Sequence, residues 1–349
     1  MIRMTHIAVI AALCVACEGD GADGPSGDAP EVLELTIDAS DPEAFVTVDF
    51  ADGSLGSDLG DMAWDVAFRG TTVRVNSGPS GPGNAAVGLM ATPFGVPDDE
   101  AAIRALTPES TEDLFTDELG IPSPQMDEVI SVIDDSFYNY DASSGDLTEN
   151  DAVGYLIRKA DGAGYARLRV TNIDFLTRSG NGVESFTLSL EPDEADDFGE
   201  AVEFTSSLPD AGSVCFSLDT EAVADCDTPD WDVRFGYFGR TTFIYPNGGD
   251  VGPGDGAVLG PVDWSDLETW TSPTQDPSGQ DRTGDYDVDR IVGPFDEAPW
   301  FVELSDGTFP THRIYYVEPG DDGDSYVLQI LGADDPASEG PWRLRYYAL

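Results

Sequence analysis

Carboxylates are the commonest groups in this sequence that could do chemistry. Asp285, Asp287 and Asp289 stand at alternate positions, and Asp296 stands at the twelfth position of the same stretch. Oxygen ligands at this spacing are typical of calcium-binding loops. The sixth position, however, is Arg290, where an EF-hand requires glycine. The stretch therefore predicts either a weak calcium site of another kind or a chance cluster of solvated acids.

The residues needed for nucleophilic catalysis are scarce. The chain has two histidines, and His6 lies in a predicted export signal, which leaves His312. A Ser-His-Asp or Cys-His site in the first half of the exported chain would therefore lack its base. The glycine-rich stretches fit neither a nucleophile elbow nor a phosphate-binding loop nor a dinucleotide fingerprint. No two carboxylates stand out as a glycosidase pair. We therefore predict that the protein is not an enzyme.

Charge excludes one class of partner. The chain has 349 residues, with 16 Lys and Arg against 68 Asp and Glu, a formal net charge of −52. Nucleic acid binding needs a basic surface, so nucleic acid is excluded. The acidity suits solubility in a saline or calcium-rich medium. A hydrophobic share of 40% with 38 Gly and 24 Pro predicts a folded core built from short strands.

The amino terminus has the pattern of an export signal. The apolar run at 7–15 is far shorter than the ~20 residues that span a bilayer. A small residue then precedes Cys17, as in a bacterial lipobox. We predict a lipoprotein signal peptide at 1–17, lipidation at Cys17, a disordered acidic tether at 18–30 and display on the outer membrane. The alternative is an ordinary secretory signal with a chance cysteine.

Two further cysteines, Cys215 and Cys226, are eleven positions apart. In an exported chain, one such pair predicts a disulfide, here between adjacent antiparallel strands. Further Cys or His ligands for a metal are missing nearby. Closing so short a loop should add about 2–3 kcal/mol of stability.

The two halves of the chain carry the same pattern. Trp64-Asp-Val-Ala-Phe68 recurs as Trp231-Asp-Val-Arg-Phe235, and each motif is followed by a Gly-Pro-Gly motif. Each half then closes with a strand-turn-strand pattern and an alternating strand. We therefore predict two tandem modules, residues 31–197 and the more divergent residues 198–349.

Alternating apolar and polar residues predict half-buried antiparallel strands, as at 32–37 and 45–50. Helical spacing occurs at 98–106 and 127–133, so one or two short helices are expected in the first module. The matching part of the second module, 262–299, is richer in Pro, Gly and Asp and is predicted to be loop. The predicted fold class is all-β, with sandwich-like antiparallel sheets in each module.

Four stretches of the first module match a known pattern in order and spacing: Leu33–Phe50, Trp64–Gly78, Phe137–Asp141 and Tyr155–Val170. They resemble the HmuY family of haem-binding bacterial lipoproteins, and the second module resembles that family more weakly. The resemblance implies an all-β domain on the outer membrane that captures haem and passes it to a transporter. The motif residues are Trp64, Asp65, Phe68, Asn76, Trp231, Asp232 and Phe235. The structural alternative is that they build the core and turns without touching a ligand.

Haem iron would need an axial ligand such as His, Met, Cys or Tyr. The candidates are His312, Met90 and Met126, and with one histidine left in the exported chain a histidine pair is excluded. Each candidate has a structural alternative. A lone histidine at a strand edge is typical of a surface or hydrogen-bonded residue, and methionine often fills gaps in a core.

The resemblance therefore predicts non-enzymatic capture of haem or a related tetrapyrrole at the cell surface. An outer-membrane receptor would receive the cargo, and the lipid anchor would be the only membrane contact. The alternative is a surface adhesion or scaffold lipoprotein that keeps the fold but has lost haem binding. An apolar cleft with a facing Met or His would distinguish the two.

Overall fold

A computed structural model of the chain describes residues 30–95, 99–117, 119–176, 182–195, 197–208, 212–238, 241–320, 323–333 and 340–349. The predicted signal peptide, Cys17 and residues 18–29 of the predicted tether lie outside these ranges. Within them, no helix is long and apolar enough to cross a membrane.

Strands dominate the regular structure. In chain order they are β1 Leu33–Ile37, β2 Val46–Asp49, β3 Ser54–Gly56, β4 Val66–Arg69, β5 Thr72–Val75, β6 Ala86–Ala91, β7 Glu128–Ile130, β8 Tyr138–Asp141, β9 Asp146–Glu149, β10 Val153–Arg158, β11 Tyr165–Leu176, β12 Gly182–Pro192, β13 Val202–Ser207, β14 Ser213–Ser217, β15 Ala222–Ala224, β16 Val233–Phe238, β17 Thr241–Pro246, β18 Ala257–Asp263, β19 Arg290–Val292, β20 Phe301–Leu304, β21 Gly307–Pro310, β22 Ile314–Glu318, β23 Tyr326–Gly332 and β24 Trp342–Ala348. The α-helices of the described ranges are α1 Glu100–Arg104, α2 Glu112–Thr116, α3 Trp264–Leu267 and α4 Pro294–Glu297. Every strand pair in these ranges is antiparallel, which confirms the all-β prediction.

The larger sheets form two units with the same strand order. The outer unit has a five-stranded sheet, β1-β24-β23-β22-β6, and a four-stranded sheet, β3-β2-β4-β5. The inner unit has the corresponding sheets, β13-β12-β11-β10-β18 and β15-β14-β16-β17. The inner unit is therefore nested in the chain between the two segments of the outer unit. The boundary near residue 197 stays a prediction about the sequence repeat, and each unit takes strands from both sides of it.

Each unit has its own apolar core between its two sheets. The outer core includes Val48, Phe68, Trp300, Leu328 and Trp342. The inner core includes Tyr155, Leu168, Phe186, Phe235 and Ile244. A small helical layer covers the other face of each five-stranded sheet. The cluster with Phe115 of α2 covers the outer sheet, and the cluster with Trp264 of α3 covers the inner sheet.

Two local expectations were wrong. The stretch 127–133, predicted as helix, contains the strand β7, because Glu128–Ile130 pairs with β19 from far along the chain. The stretch 262–299, predicted as loop, contains α3, β19 and α4. Helix α3 forms because Trp264 and Leu267 are buried against Leu156 and Leu259 of the inner sheet. The helix expected from residue 98 is present as α1, although residue 98 itself is outside the described ranges.

The predicted disulfide is present. Cys215 lies in β14 opposite Ala224 of β15, and its sulfur is bonded to that of Cys226. The bond closes the β14–β15 hairpin of the inner unit, and the corresponding hairpin of the outer unit, β2 and β3, has no cysteine.

Candidate functional site

The motif residues of the outer unit hold its backbone together. Asn76 is fully buried; its amide nitrogen donates to the Trp64 carbonyl at 2.6 Å, and its amide oxygen accepts from the Gly83 N–H at 2.9 Å. The Asp65 carboxylate accepts from the Phe50 N–H at 2.9 Å. Trp64 and Phe68 are buried. These side chains bind loop and strand backbone, as in the structural alternative.

The inner unit repeats this arrangement with one residue that the sequence comparison missed. Asn247 donates to the Trp231 carbonyl at 2.6 Å and accepts from the Gly254 N–H at 3.0 Å, which are the two bonds that Asn76 makes. The Asp232 carboxylate accepts from the Leu218 N–H at 2.7 Å, and Phe235 is buried. The sequence contains a pattern that identifies Asn247, because each asparagine precedes the second glycine of its Gly-Pro-Gly motif by seven residues.

The three aspartates of the calcium interpretation do not converge. Asp285 is exposed and pairs with Arg282 at 2.7 Å. Asp287 is exposed, and Asp289 is fully buried. Among the described residues, no group of three or more His, Cys, Asp or Glu side chains could hold a metal ion. Calcium binding is therefore not supported.

His312 is enclosed in the outer unit. Only 2% of the residue is exposed, and its Nδ1 atom has no hydrogen-bond partner among the described residues. Burial, with a smaller contribution from the charge of Arg345, lowers its pKa to about 4, so the ring is neutral at ordinary pH. Of the two alternatives expected for His312, a surface or a hydrogen-bonded residue, its burial excludes the surface position; its backbone is left-handed.

Met90 is half-buried in β6. It packs against the cluster that includes Phe115 of α2 and Ile314 of β22. Met90 therefore fills a gap beside this cluster, as methionine often does in a core. Met90 thus lies in β6 and His312 lies two residues before β22, the strand paired with β6; His312 is buried and Met90 is half-buried.

Met126 is the candidate ligand that is open to solvent. The residue is 47% exposed and lines a cleft of about 350 Å³. Val292, Gly293 and Glu297 form the opposite side of the cleft. Met126 therefore differs from Met90 and His312 in its exposure to solvent.

The cleft lies at the two-stranded pair β7 and β19, which we call the junction ribbon. Ile130 lies opposite Arg290, and Glu128 lies opposite Val292. Because side chains alternate along a strand, these four residues share one face of the ribbon. Met126 precedes β7 and lines the same cleft as Glu128 and Val292. Ile130 is 47% exposed. The face therefore offers Met126, Ile130 and Val292 as apolar groups, with Arg290 at one end and Glu128 between them.

Arg290 is a cation that forms no ion pair with any described residue. It is exposed, and among the described residues its side chain has no ion pair, hydrogen bond or ring contact. Arg74 is a contrast, because it lies 3.3 Å from Asp250 and 3.4 Å from Asp296. In a chain with 52 excess negative charges, an unpaired arginine beside exposed apolar side chains can hold an anionic group of a mainly apolar ligand.

Two buried aspartates flank the junction ribbon at equivalent positions, each directly before its strand. The Asp127 Oδ2 atom accepts from the Val75 N–H at 3.0 Å and from the Ser80 hydroxyl at 2.5 Å. Its Oδ1 atom has no partner among the described residues. Burial raises the pKa of this carboxyl.

Asp289 accepts its hydrogen bond from a different part of the chain than Asp127 does. Its Oδ1 atom accepts from the Val132 N–H at 2.8 Å, while Oδ2 has no partner in the described chain. Burial raises its pKa to about 7. Proline explains why the two aspartates have different partners. Pro246 stands at the position equivalent to Val75, and Pro294 stands at the position equivalent to Val132. Proline has no N–H to donate to the aspartate.

Comparisons with known proteins add little to this geometry. No protein-family model matches the chain, and no curated protein matches it. A crystal structure described as an HmuY-like haem-binding protein from Bacteroides vulgatus ATCC 8482 matches with 18% sequence identity, over 47% of this chain and 92% of that chain, with a TM-score of 0.19. A likeness at this TM-score carries no conclusion about the present chain.

Proposed function

We propose that the protein is a non-enzymatic surface protein that captures haem or a related tetrapyrrole on the exposed face of the junction ribbon. The observation that carries the proposal is the combination of Met126, Ile130 and Val292 with the unpaired Arg290 on one face. A tetrapyrrole is flat and apolar, carries carboxylates at one edge and, in haem, accepts a thioether as an axial ligand. Met126 would ligate the iron, and Arg290 would pair with a carboxylate.

Acidic residues beside the face oppose the binding of a ligand that carries carboxylates. Glu128 and Glu297 lie at the same cleft and would repel the carboxylates of the ligand. Salt screens this repulsion and also screens the attraction to Arg290. Because the net charge is −52, repulsion dominates, and binding should strengthen between about 50 mM and about 500 mM salt.

The sequence resemblance to HmuY lipoproteins supports the same function and its location. In this proposal residues 1–17 direct export, Cys17 carries the lipid, and the 18–30 tether displays the chain on the outer membrane. Each of the two sequence repeats, 31–197 and 198–349, is HmuY-like in its pattern, although the folded units are nested and not tandem. A receptor in that membrane takes the cargo from the ribbon.

A haemin titration of the protein lacking residues 1–17, followed by the Soret band in both oxidation states, tests the proposal. We expect saturable binding with a shifted band. Met126→Leu keeps the apolar volume but removes the thioether, so the band should change and affinity should fall about tenfold. Arg290→Gln should weaken binding of both haemin and iron-free protoporphyrin without altering the haemin band.

Met90→Leu and His312→Asn are the matched controls, and both should leave the haemin band unchanged. A band that responds to either control but not to Met126→Leu would place the ligand elsewhere. Spectra of free haemin alone, at every protein concentration, would refute tetrapyrrole capture.

A second candidate is a surface adhesion or scaffold protein without haem binding. The burial of His312 and the packing of the half-buried Met90 against the cluster that includes Phe115 favour it, because two of the three candidate ligands then serve the fold. The same titration distinguishes the candidates, since a scaffold gives no saturable haemin binding at any salt concentration.

A further inference from the structure

A second cleft, which we call the loop cleft, lies on the inner unit away from the junction ribbon. It has a volume of about 470 Å³. Three separate parts of the chain form it: Tyr165 at the start of β11, the turn after β12 and the loop after α3. The polar and aromatic residues that line it are Tyr165, Asp193, Glu194, Thr271, Ser272 and Thr274.

Hydrogen bonds fix the walls of the loop cleft. The Tyr286 hydroxyl donates to the Pro273 carbonyl at 2.7 Å, and the Arg282 N–H donates to the Thr274 carbonyl at 2.8 Å. On the other side, the Asp193 N–H donates to the Tyr165 carbonyl at 2.9 Å. These bonds hold the lining residues in place before any ligand arrives, which lowers the entropic cost of binding.

The side chains in the cleft keep hydrogen-bonding capacity for a ligand. The Asp193 carboxylate has no hydrogen bond or ion pair among the described residues. Ser272 and Thr274 place two hydroxyl oxygens 3.3 Å apart, and each can donate and accept. Tyr165 has an aromatic ring that meets Tyr286 edge to face at 5.4 Å between centroids, so it is held in one orientation.

This chemistry excludes most classes of ligand. Asp193 and Glu194 repel anions, including a tetrapyrrole carboxylate. The described residues hold no cluster that could bind a metal ion. An apolar ligand would strand the carboxylate and the hydroxyls without partners. An organic cation would meet the two carboxylates but would leave the neighbouring hydroxyls of Ser272 and Thr274 unused. A neutral ligand with many hydroxyl groups and a C–H face that can lie against a tyrosine ring meets all of these groups.

We infer that the loop cleft binds a neutral saccharide. Asp193 accepts hydrogen bonds from sugar hydroxyls, Ser272 and Thr274 donate and accept, and Tyr165 packs against the ring of one residue. The inference is independent of the proposed tetrapyrrole function, because the two clefts share no residue.

Saturation-transfer NMR with maltotriose, cellotriose and chitotriose on the full exported chain tests the inference. We expect saturable binding of at least one trisaccharide with a Kd on the order of 1 mM. Asp193→Ala and Tyr165→Ala should each weaken that binding about tenfold or more. Asp287→Ala, an exposed acid outside the cleft, is the matched control and should bind as the unchanged chain does.

Thermal unfolding of each variant separates a lost contact from a lost fold. Binding that persists in both Asp193→Ala and Tyr165→Ala would overturn the assignment, as would the absence of binding by all three probes. Loss of binding on addition of EDTA would also overturn it, because direct recognition by the carboxylate needs no cation.

Discussion

The outer and inner units share a strand order but stabilise their helical layers differently. In the outer unit, the buried Arg345 of β24 donates to Gln329 at 2.8 Å and to the Pro108 carbonyl at 3.0 Å, and it pairs with Glu112 of α2. In the inner unit, Trp264 of α3 is buried, and the Arg169 guanidinium lies over its ring at 4.2 Å. Each helical layer also has the kind of contact that the other uses. The Arg345 guanidinium lies over the Phe115 ring at 4.3 Å. The buried Arg167 of the inner sheet donates to the Trp270 carbonyl and pairs with Glu191 at 2.7 Å. The layers therefore differ in which residues make these contacts.

This difference shows which residues specify the shared fold. The helical layers differ in length, residue type and bonding, whereas the Trp-Asp motif and the buried asparagine make the same bonds in both units. The motif therefore determines how the two sheets meet, and the covering layer is free to vary. The predictions below test that division.

Removing the shared asparagine should have the largest effect. Asn76→Ala and Asn247→Ala each leave several buried backbone groups without partners, at about 1–3 kcal/mol for each group. We expect losses of about 3–5 kcal/mol in the free energy of unfolding, similar in the two units, as measured by urea denaturation. Asn139→Ala, at an exposed strand position, is the control. A loss below about 1 kcal/mol in either unit would contradict the shared role.

The two arginines that contact the helical layers should differ in their effect on stability. Arg345→Met leaves Gln329 and the α2 end without their charged partner and should cost about 3–4 kcal/mol. Arg169→Met removes a cation–π contact and should cost about 1 kcal/mol. Denaturation of the two variants under the same conditions measures the difference in the free energy of unfolding, and equal losses would show that the two arginines contribute equally.

The disulfide should stabilise the inner unit alone. Replacing both Cys215 and Cys226 with serine should lower the free energy of unfolding by about 2–3 kcal/mol. Hydrogen exchange measured by mass spectrometry should show faster amide exchange in strands β14 to β17 and an unchanged rate in strands β2 to β5. Equal increases in both units would show that they unfold as one.

Two buried groups should give opposite pH dependence. Asp289 keeps its proton up to about pH 7 in the folded chain and loses it near pH 4 when unfolded, so its contribution to stability falls as pH rises from about 4 to 7. His312 has a folded pKa of about 4 against 6.5 unfolded, so its contribution falls as pH decreases from about 6.5 to 4.

Asp289→Asn should therefore change the pH profile by roughly 1–3 kcal/mol. The variant should be more stable than the unchanged chain at pH 8 and should lose stability more steeply between pH 6.5 and pH 4. His312→Asn should change the profile in the opposite sense. Thermal unfolding across this range checks both, and a parallel shift of the whole profile would show that neither group titrates as described.

Local patterns predicted most strands but not their partners. The alternation of apolar and polar residues predicted β1 and β2 correctly, because every second side chain of a half-buried strand faces the core. The nested pairing could not be predicted in this way, because equivalent strands of the two repeats carry nearly the same pattern. The junction ribbon was missed for a different reason: β7 is short, and its partner β19 is distant in the chain.

The candidate site was predicted only in part. Met126 was identified by its residue type, but its cleft depends on Val292 and Gly293 from the other strand of the ribbon. Arg290 entered the sequence analysis only as the residue that breaks an EF-hand pattern. The burial of His312 depends on backbone conformation and on the outer sheet, and neither is visible in a single-residue pattern.

The nested order of strands has a consequence for synthesis and export. The inner unit is one continuous segment of chain, so all its strands are available once β18 has emerged. In the outer unit, β1 pairs with β24, Leu33 lying opposite Tyr346, so the first strand waits for the last. The inner unit should therefore fold first and stand as an independent intermediate, while β1 to β6 remain exposed to proteases until translocation is complete.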